Sequence, residues 1–243
     1  MKLYVVGIGP GEESQITGKA LKALEESQLV VGYNVYIDLI RHLIPGKETL
    51  TTPMKQETDR CKMAVEAAIA GKRVAVVSSG DAGIYGMAGL IYEVLAEYNA
   101  HQIEVEVIPG ITAASSAAAV LGAPLTHDFA VISLSDLLTP WEAIETRLRL
   151  AAQAGFTICI YNPSSKKRGD YLKKACEIIM EAADRKTPCG YVKNIGREGQ
   201  SHRVMTLEEL ALEQVDMFTT VIIGNKNTRI IDGKLVTSRG YKI

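Results

Sequence analysis

The chain has 243 residues, 47% hydrophobic and 23% charged, and its 27 basic and 28 acidic side chains leave a formal net charge of −1. These figures describe a soluble globular protein long enough for one large α/β domain or two smaller ones. They exclude nucleic acid as the default partner, since a phosphate-binding surface needs a basic excess; no apolar run approaches the length of a membrane span. Cys61, Cys159, Cys176 and Cys189 are scattered, with no C-x-x-C and no histidine at ligand spacing. Reduced, buried thiols are therefore expected, with no metal site and no disulfide framework. Lys2 leads at once into a short strand-like run, not into a secretory leader, so a cytoplasmic location is expected.

Residues 3–6 read as a strand running into a glycine turn, VGIGPGEES. The turn misses the dinucleotide fingerprint G-x-G-x-x-G, because Glu12 stands where the third glycine would let a helix pack on the strand. A carboxylate there also opposes the phosphate that a helix N-terminus would attract. The turn therefore suits a ligand without phosphates that lies close to main chain. Residues 17–27 have a helical pattern and 29–31 form a second short apolar run; 57–70 is helical and stops at Gly71. RVAVVS at 73–78 reads as a buried strand, 85–98 as a helix, 105–109 as a strand and 112–121 as a helix of small residues. This βα alternation predicts a mainly parallel sheet with helices on both faces.

Beyond Gly122-Ala123-Pro124 the pattern changes. Strands are expected at 129–134 and 156–161, flanking an amphipathic helix at 141–154, and a further helix at 166–183. Residues 190–193, 202–205, 217–223 and 229–237 read as strands, the last containing the hairpin signal Asp232-Gly233. The expected fold is thus α/β in two domains, 1–120 with a mainly parallel sheet and 121–243 with a mixed one.

In open α/β sheets, ligands collect beyond the carboxyl ends of the strands. SSGDAGIYG at 78–86 puts three glycines around Asp81, which either accepts hydrogen bonds from a polar ligand or caps the next helix. PGITAASSAAA at 109–119 is bare enough for close packing of a neighbouring helix, or of a flat ligand over Thr112 and Ala113. YNPSSKKRG at 161–169 places Lys166, Lys167 and Arg168 at the head of a helix, where cations oppose the dipole. VKNIGREGQSHR at 192–203 adds Lys193, Arg197, His202 and Arg203. Each basic residue alone reads as solvated surface; two such loops in a neutral chain also fit an anionic substrate with several carboxylates. GYNVYIDLI at 32–40 carries Tyr33, Tyr36 and Asp38, either as packing or as a wall of the substrate site.

In this order, the motifs VGIGPG, GYNVYIDLI, SGDAGIYGM, SLSDLLTPW, IYNPSSKKR, VKNIGREGQ and TTVIIGN resemble the tetrapyrrole methylase family over essentially the whole chain. Within it they are most similar to the branch that methylates C17 and contracts the corrin ring in cobalamin synthesis. Ala82 stands where many relatives have proline. The resemblance implies two α/β domains with the active site in the cleft between them, a homodimer, S-adenosylmethionine as methyl donor with S-adenosylhomocysteine as product, an anionic tetrapyrrole as substrate, and neither nucleic acid nor membrane as partner. Carried over by motif, the cofactor contacts are Pro10, Ser79, Gly80, Asp81, Ile84, Thr112, Ala113, Asn162 and Ile195, with Asn162 replacing an apolar residue found in several relatives. Proton movement and charge stabilisation fall to Asp38, Asp136, Lys193 and Arg197. Substrate contacts fall to Tyr33, Tyr36, Lys166, Lys167, Arg168 and Arg203. The competing readings are a related precorrin methylase acting at C11 or C20, a nicotinamide-dependent oxidoreductase using the N-terminal glycines, and a non-enzymatic domain for anionic ligands.

Overall fold

The computed structural model describes residues 1–165 and 168–242, and the chain divides into two compact units, Met1–Ala113 and Ala114–Ile243. The first unit contains β1 (Lys2–Gly7), α1 (Gly18–Glu26), β2 (Leu29–Tyr33), α2 (Asn34–Ile40), β3 (Glu48–Thr52), α3 (Glu57–Ile69), β4 (Val74–Ser78), α4 (Ala88–Glu97) and β5 (Glu104–Ile108). All five strands are parallel, in the order β3-β2-β4-β1-β5.

The continuous apolar strand runs supply two cores, because successive side chains point to opposite faces. Leu3, Val5, Leu29, Val31, Val74 and Val76 face Cys61, Val65, Ile91 and Val94 of α3 and α4. Tyr4, Val6, Val30, Ala75 and Val77 face Ala20, Leu24, Ile37 and Ile40 of α1 and α2. Each fully buried Val, Leu or Ile contributes about 1.5–3 kcal/mol, so both faces are secured by the same short segments. The strand order decides where loops meet: β1 lies between β4 and β5, with Gly7 opposite Ser78 and Val6 opposite Ile108.

In this unit three elements differ from the expectations. The helix expected at 85–98 starts at Ala88, because Tyr85 has φ 53° and a Cβ on Gly86 would lie 2.3 Å from the Ala82 carbonyl oxygen. Residues 34–40, read only as a stretch after a strand, form α2. ETLTT forms β3 at the sheet edge, where half its side chains meet water.

The second unit holds most of α5 (Ala113–Leu121), then β6 (Gly122–Ala123), β7 (Phe129–Ser133), α6 (Trp141–Gln153), β8 (Thr157–Tyr161), α7 (Tyr171–Ile179), β9 (Pro188–Lys193), β10 (Ser201–Thr206), α8 (Leu207–Leu210), β11 (Thr219–Ile223), β12 (Thr228–Ile231) and β13 (Lys234–Thr237). Its main sheet, β10-β9-β11-β8-β7, is mixed: β7 and β8 are parallel and the other pairs antiparallel. A smaller sheet runs β12-β13-β6, so Gly122 and Ala123 pair with Leu235 and Val236. The β12–β13 hairpin turns through Asp232 and Gly233 at φ 49° and 75°, the left-handed pair that a two-residue turn requires. The helix expected at 166–183 is shorter and begins at Tyr171, after the poor helix formers Gly169 and Asp170. Among the described residues no helix is long and apolar enough to cross a membrane.

Candidate active site

The first unit brings the turn after β1, the loop after β4 and the loop after β5 together at the carboxyl edge of the sheet. Gly9 and Gly80 form a two-way main-chain bridge: the Gly9 N–H donates to the Gly80 carbonyl at 3.0 Å, and the Gly80 N–H to the Gly9 carbonyl at 2.7 Å. A Cβ on Gly110 would stand 2.1 Å from the Gly80 oxygen, and one on Gly7 2.6 Å from the Gly110 nitrogen. Only glycine allows the three loops to close on one another so tightly.

Asp81 locks the arrangement. Its Oδ1 accepts from the N–H groups of Gly83 (2.7 Å) and Ile84 (3.2 Å), and its Oδ2 accepts from the Gly110 N–H at 3.0 Å. The carboxylate therefore ties the loop after β4 to the loop after β5. It does not cap α4, which starts at Ala88 with no side-chain cap. Gly80, at φ 68°, turns its missing side chain towards residues 111–113: a Cβ there would lie 3.7 Å from the Ala113 nitrogen and 3.9 Å from the Thr112 Cα. Ile84 and Ile111 are exposed, Ser79, Thr112 and Ala113 are partly exposed, and Pro10 is buried. The rim is thus main chain flanked by apolar side chains.

Those features suit a ligand lying close against main chain and offer no anion site for a pyrophosphate. Glu12 and Glu13 are exposed beside the first turn, and α1 begins only at Gly18, its N-terminus already capped by the Thr17 hydroxyl accepting from Ala20 N–H at 3.1 Å. Only a single 3-10 turn, Glu13–Gln15, with acidic residues at its head stands directly after β1, where a dinucleotide site needs the N-terminus of an α-helix.

Next along the same edge, Tyr33 and Tyr36 meet edge to face at 5.3 Å. Asp38 lies on α2, exposed and ion-paired to Arg41 at 2.6 Å.

In the second unit, β9 runs antiparallel to β11, which runs antiparallel to β8, so β7, β8 and β9 all end at one edge. That edge gathers Asp136, Asn162, Arg168, Lys193, Ile195 and Arg197. Asp136 accepts from the Tyr171 hydroxyl at 2.7 Å, and its other oxygen is 3.6 Å from Arg168 Nη1. The bond to Asp136 raises the Tyr171 pKa above the usual phenol value. Trp141 packs on Tyr171 with ring centres 4.3 Å apart, and Arg168 Nε also donates to the Ser165 hydroxyl at 3.0 Å. Asn162, at φ 52°, donates to the Ser133 hydroxyl at 2.9 Å, and Ile195 is buried.

Lys193 is paired with Asp216 at 2.7 Å, which raises the lysine pKa. Burial works to raise Asp216, but the Lys193 ammonium, the Phe218 N–H and the Thr219 hydroxyl outweigh it and hold the carboxyl below its usual value. Arg197 lies over the Phe218 ring, and Arg203 pairs with Glu213 away from Lys193 along β10. Lys166 and Lys167 lie outside the described residues. Sequence reading passed over Trp141, Tyr171 and Asp216; the quoted SLSDLLTPW motif does contain the tryptophan, but nothing in sequence pairs Tyr171 with Asp136. Among the described residues, no group of three or more His, Cys, Asp or Glu side chains is arranged to hold a metal ion.

Comparison with known proteins adds the following. Residues 2–211 match the family Tetrapyrrole (Corrin/Porphyrin) Methylases. The chain is 46% identical over 241 residues to the probable cobalt-factor III C(17)-methyltransferase of Salmonella typhimurium, covering 99% of this chain and 100% of that one. It is 41% identical to the precorrin-3B C(17)-methyltransferase of a Sinorhizobium species, covering 95% and 91%. It is 48% identical to the cobalamin biosynthesis protein CbiHC of Archaeoglobus fulgidus, covering 99% of this chain but only 53% of that longer protein. Among solved structures, the methyltransferase CobJ superposes with a TM-score of 0.90 at 37% identity, covering 97% and 99%. The uroporphyrin-III C-methyltransferase of Thermus thermophilus, solved with S-adenosylhomocysteine, gives 0.73 at 26% identity, covering 92% and 97%.

Proposed function

Because the chain belongs to the tetrapyrrole (corrin/porphyrin) methylase family, we propose that it transfers a methyl group from S-adenosylmethionine to C17 of precorrin-3B or its cobalt-carrying counterpart, with contraction of the corrin ring, in cobalamin biosynthesis. It is a C-methyltransferase. The observation that carries this reading is the 46% identity, end to end, with a cobalt-factor III C(17)-methyltransferase.

When bound, S-adenosylmethionine supplies a sulfonium methyl group to a nucleophilic ring carbon. The groups proposed to hold it in the first unit are the main chain at Ser79, Gly80, Thr112 and Ala113 with Pro10 and Ile84, while Asp81 keeps the loops closed. The substrate brings its own nucleophile, so the chain's task is alignment, which is worth about 7–11 kcal/mol when two reactants are held in attack geometry. No protein nucleophile is needed for that step.

The acetate and propionate groups of the substrate call for cations, and Arg168, Lys193, Arg197 and Arg203 are the proposed partners, with bidentate pairing open to the arginines. Lys193, its pKa raised by Asp216, stays protonated at neutral pH and stabilises charge without moving a proton. Asp136, held by Tyr171 and Arg168, is the proposed proton-handling group for ring contraction, with Asp38 a second candidate. We also infer a homodimer in the cytoplasm, which light scattering on the purified chain and cell fractionation would test.

The decisive assay supplies both the metal-free and the cobalt-containing precursor together with a 13C-methyl donor and locates the label by NMR. Label at C17 of a contracted ring is expected. Label at another ring carbon would reject the assignment.

A further inference from the structure

The first unit buries a cation that the sequence gives no reason to notice. Arg60, one turn into α3, is 3% exposed. Its Nε donates to the Thr52 hydroxyl at 3.0 Å, its Nη2 to the carbonyls of Thr52 (3.4 Å) and Pro53 (3.2 Å), and its Nη1 reaches the Met87 sulfur at 4.0 Å. None of these partners is a carboxylate. A buried guanidinium held, among the described residues, by neutral acceptors alone is an expensive way to stabilise a helix, so the contacts it makes point to its purpose. All of them lie at the carboxyl edge of the sheet, at the end of β3 and the head of α4.

The loop that Arg60 pins, residues 53–56, holds Lys55 at φ 71°, a left-handed conformation that a lysine rarely adopts. The Lys55 N–H donates to Glu57 Oε1 at 3.2 Å, which fixes the backbone and leaves the side chain exposed. Among the described residues its ammonium has no partner. β3 pairs with β2 so that Thr52 stands opposite Tyr33, and the loop therefore starts beside the Tyr33–Tyr36 ring pair.

We propose that Lys55 binds a peripheral carboxylate of the anionic tetrapyrrole and that Arg60 is the positioning residue that holds its loop in place. The proposal rests on the methyltransferase reading and assigns it a further substrate contact. Uroporphyrin III, a non-reacting tetrapyrrole with acetate and propionate arms, is the probe, titrated by fluorescence quenching; S-adenosylhomocysteine affinity is measured by calorimetry on the same preparations.

Loss of one exposed ion pair should weaken the porphyrin about threefold in Lys55→Ala, and reversal of charge about tenfold in Lys55→Glu. The effect should shrink at high salt, Lys55→Arg should bind within about twofold of the parent, and S-adenosylhomocysteine affinity should not move in any of them. Arg60→Met should weaken porphyrin binding as Lys55→Ala does, again with unchanged S-adenosylhomocysteine affinity. If that variant does not fold, Thr52→Val, which removes the acceptor of Arg60 Nε, should give the same selective loss.

Porphyrin binding by Lys55→Glu equal to that of the parent overturns the proposal, as does a parent that binds S-adenosylhomocysteine but no porphyrin. Equal losses of both ligands in the Arg60 and Thr52 variants overturn the positioning role. A parent that fails to bind S-adenosylhomocysteine rejects the methyltransferase reading itself, and this proposal with it.

Discussion

Removing the Asp81 carboxylate should open the site without touching either core. In Asp81→Ala the amides of Gly83 and Ile84 are exposed and regain water, so their loss costs little. The Gly110 amide is partly buried, and a donor stranded there costs about 1–3 kcal/mol. Adding a lost charge-assisted bond of about 1.5 kcal/mol brings the total to about 2.5–4.5 kcal/mol. At about 4 °C per kcal/mol, where the size ranges for small and large domains meet, the melting temperature should fall by about 10–18 °C. Asp81→Asn keeps one acceptor oxygen and should lose about half as much. Because the freed loops must be reordered by the ligand, S-adenosylhomocysteine should bind at least about tenfold more weakly to Asp81→Ala, a change of about 1.4 kcal/mol. Thermal scans and calorimetry read both quantities. An Asp81→Ala chain that melts with the parent and binds S-adenosylhomocysteine equally well would refute the locking role.

Gly110→Ala must move the Gly80 carbonyl, which a Cβ would approach to 2.1 Å; overpacking of this kind costs about 1–3 kcal/mol, and calorimetry should show S-adenosylhomocysteine binding lost before the fold is. Glu106 is held down to about 2 by its bonds to Lys19 and then Lys2, against 4.5 for the free group, so the stability it contributes is complete above pH 4.5 and is lost as pH falls towards 2. Melting temperatures of Glu106→Gln and the parent, measured across that acid range, should therefore converge as the pH drops; a constant gap would contradict the linkage. Asp216→Asn removes the main cause of the raised Lys193 pKa, so the pH profile of amine labelling at Lys193, followed by mass spectrometry, should shift to lower pH; an unmoved profile would show that the pair does not form in solution.

The two inner strands that build the first site were legible because each is buried on both faces and so reads as an unbroken apolar run, LYVV and VAVV. At the sheet edge β5, EVEVI, is half-solvated and showed through its alternation and the Pro109-Gly110 turn after it. The glycine turns beside them were legible because close main-chain approach leaves no alternative residue. β3 was not, since an edge strand of the composition ETLTT is half solvated and carries no apolar signature. α2 was hidden by β-branched residues and by Tyr33, which offers no side-chain cap. The start of α4 was misplaced because a helical period says nothing about Tyr85 having φ 53°. Asp81 could be singled out from its glycines, but its link to Gly110 is a contact across 29 positions that only the strand order creates. Arg60 had no signal at all: within ETDRCKMAVEAAI an arginine reads as a solvated helix face, and its burial depends on where β3 ends. The pairing of Lys193 with Asp216 was invisible for the same reason, since neighbouring strands bring the two together.

On the proposed reading, main chain of the first unit holds a phosphate-free adenosyl donor. Hydrogen exchange of the full chain, with and without saturating S-adenosylhomocysteine, tests it most directly. The expected result is new protection concentrated in residues 79–84 and 111–113, with none induced by NAD. Tight binding that leaves those amides exchanging as before, or NAD protecting the turn after β1, would contradict it.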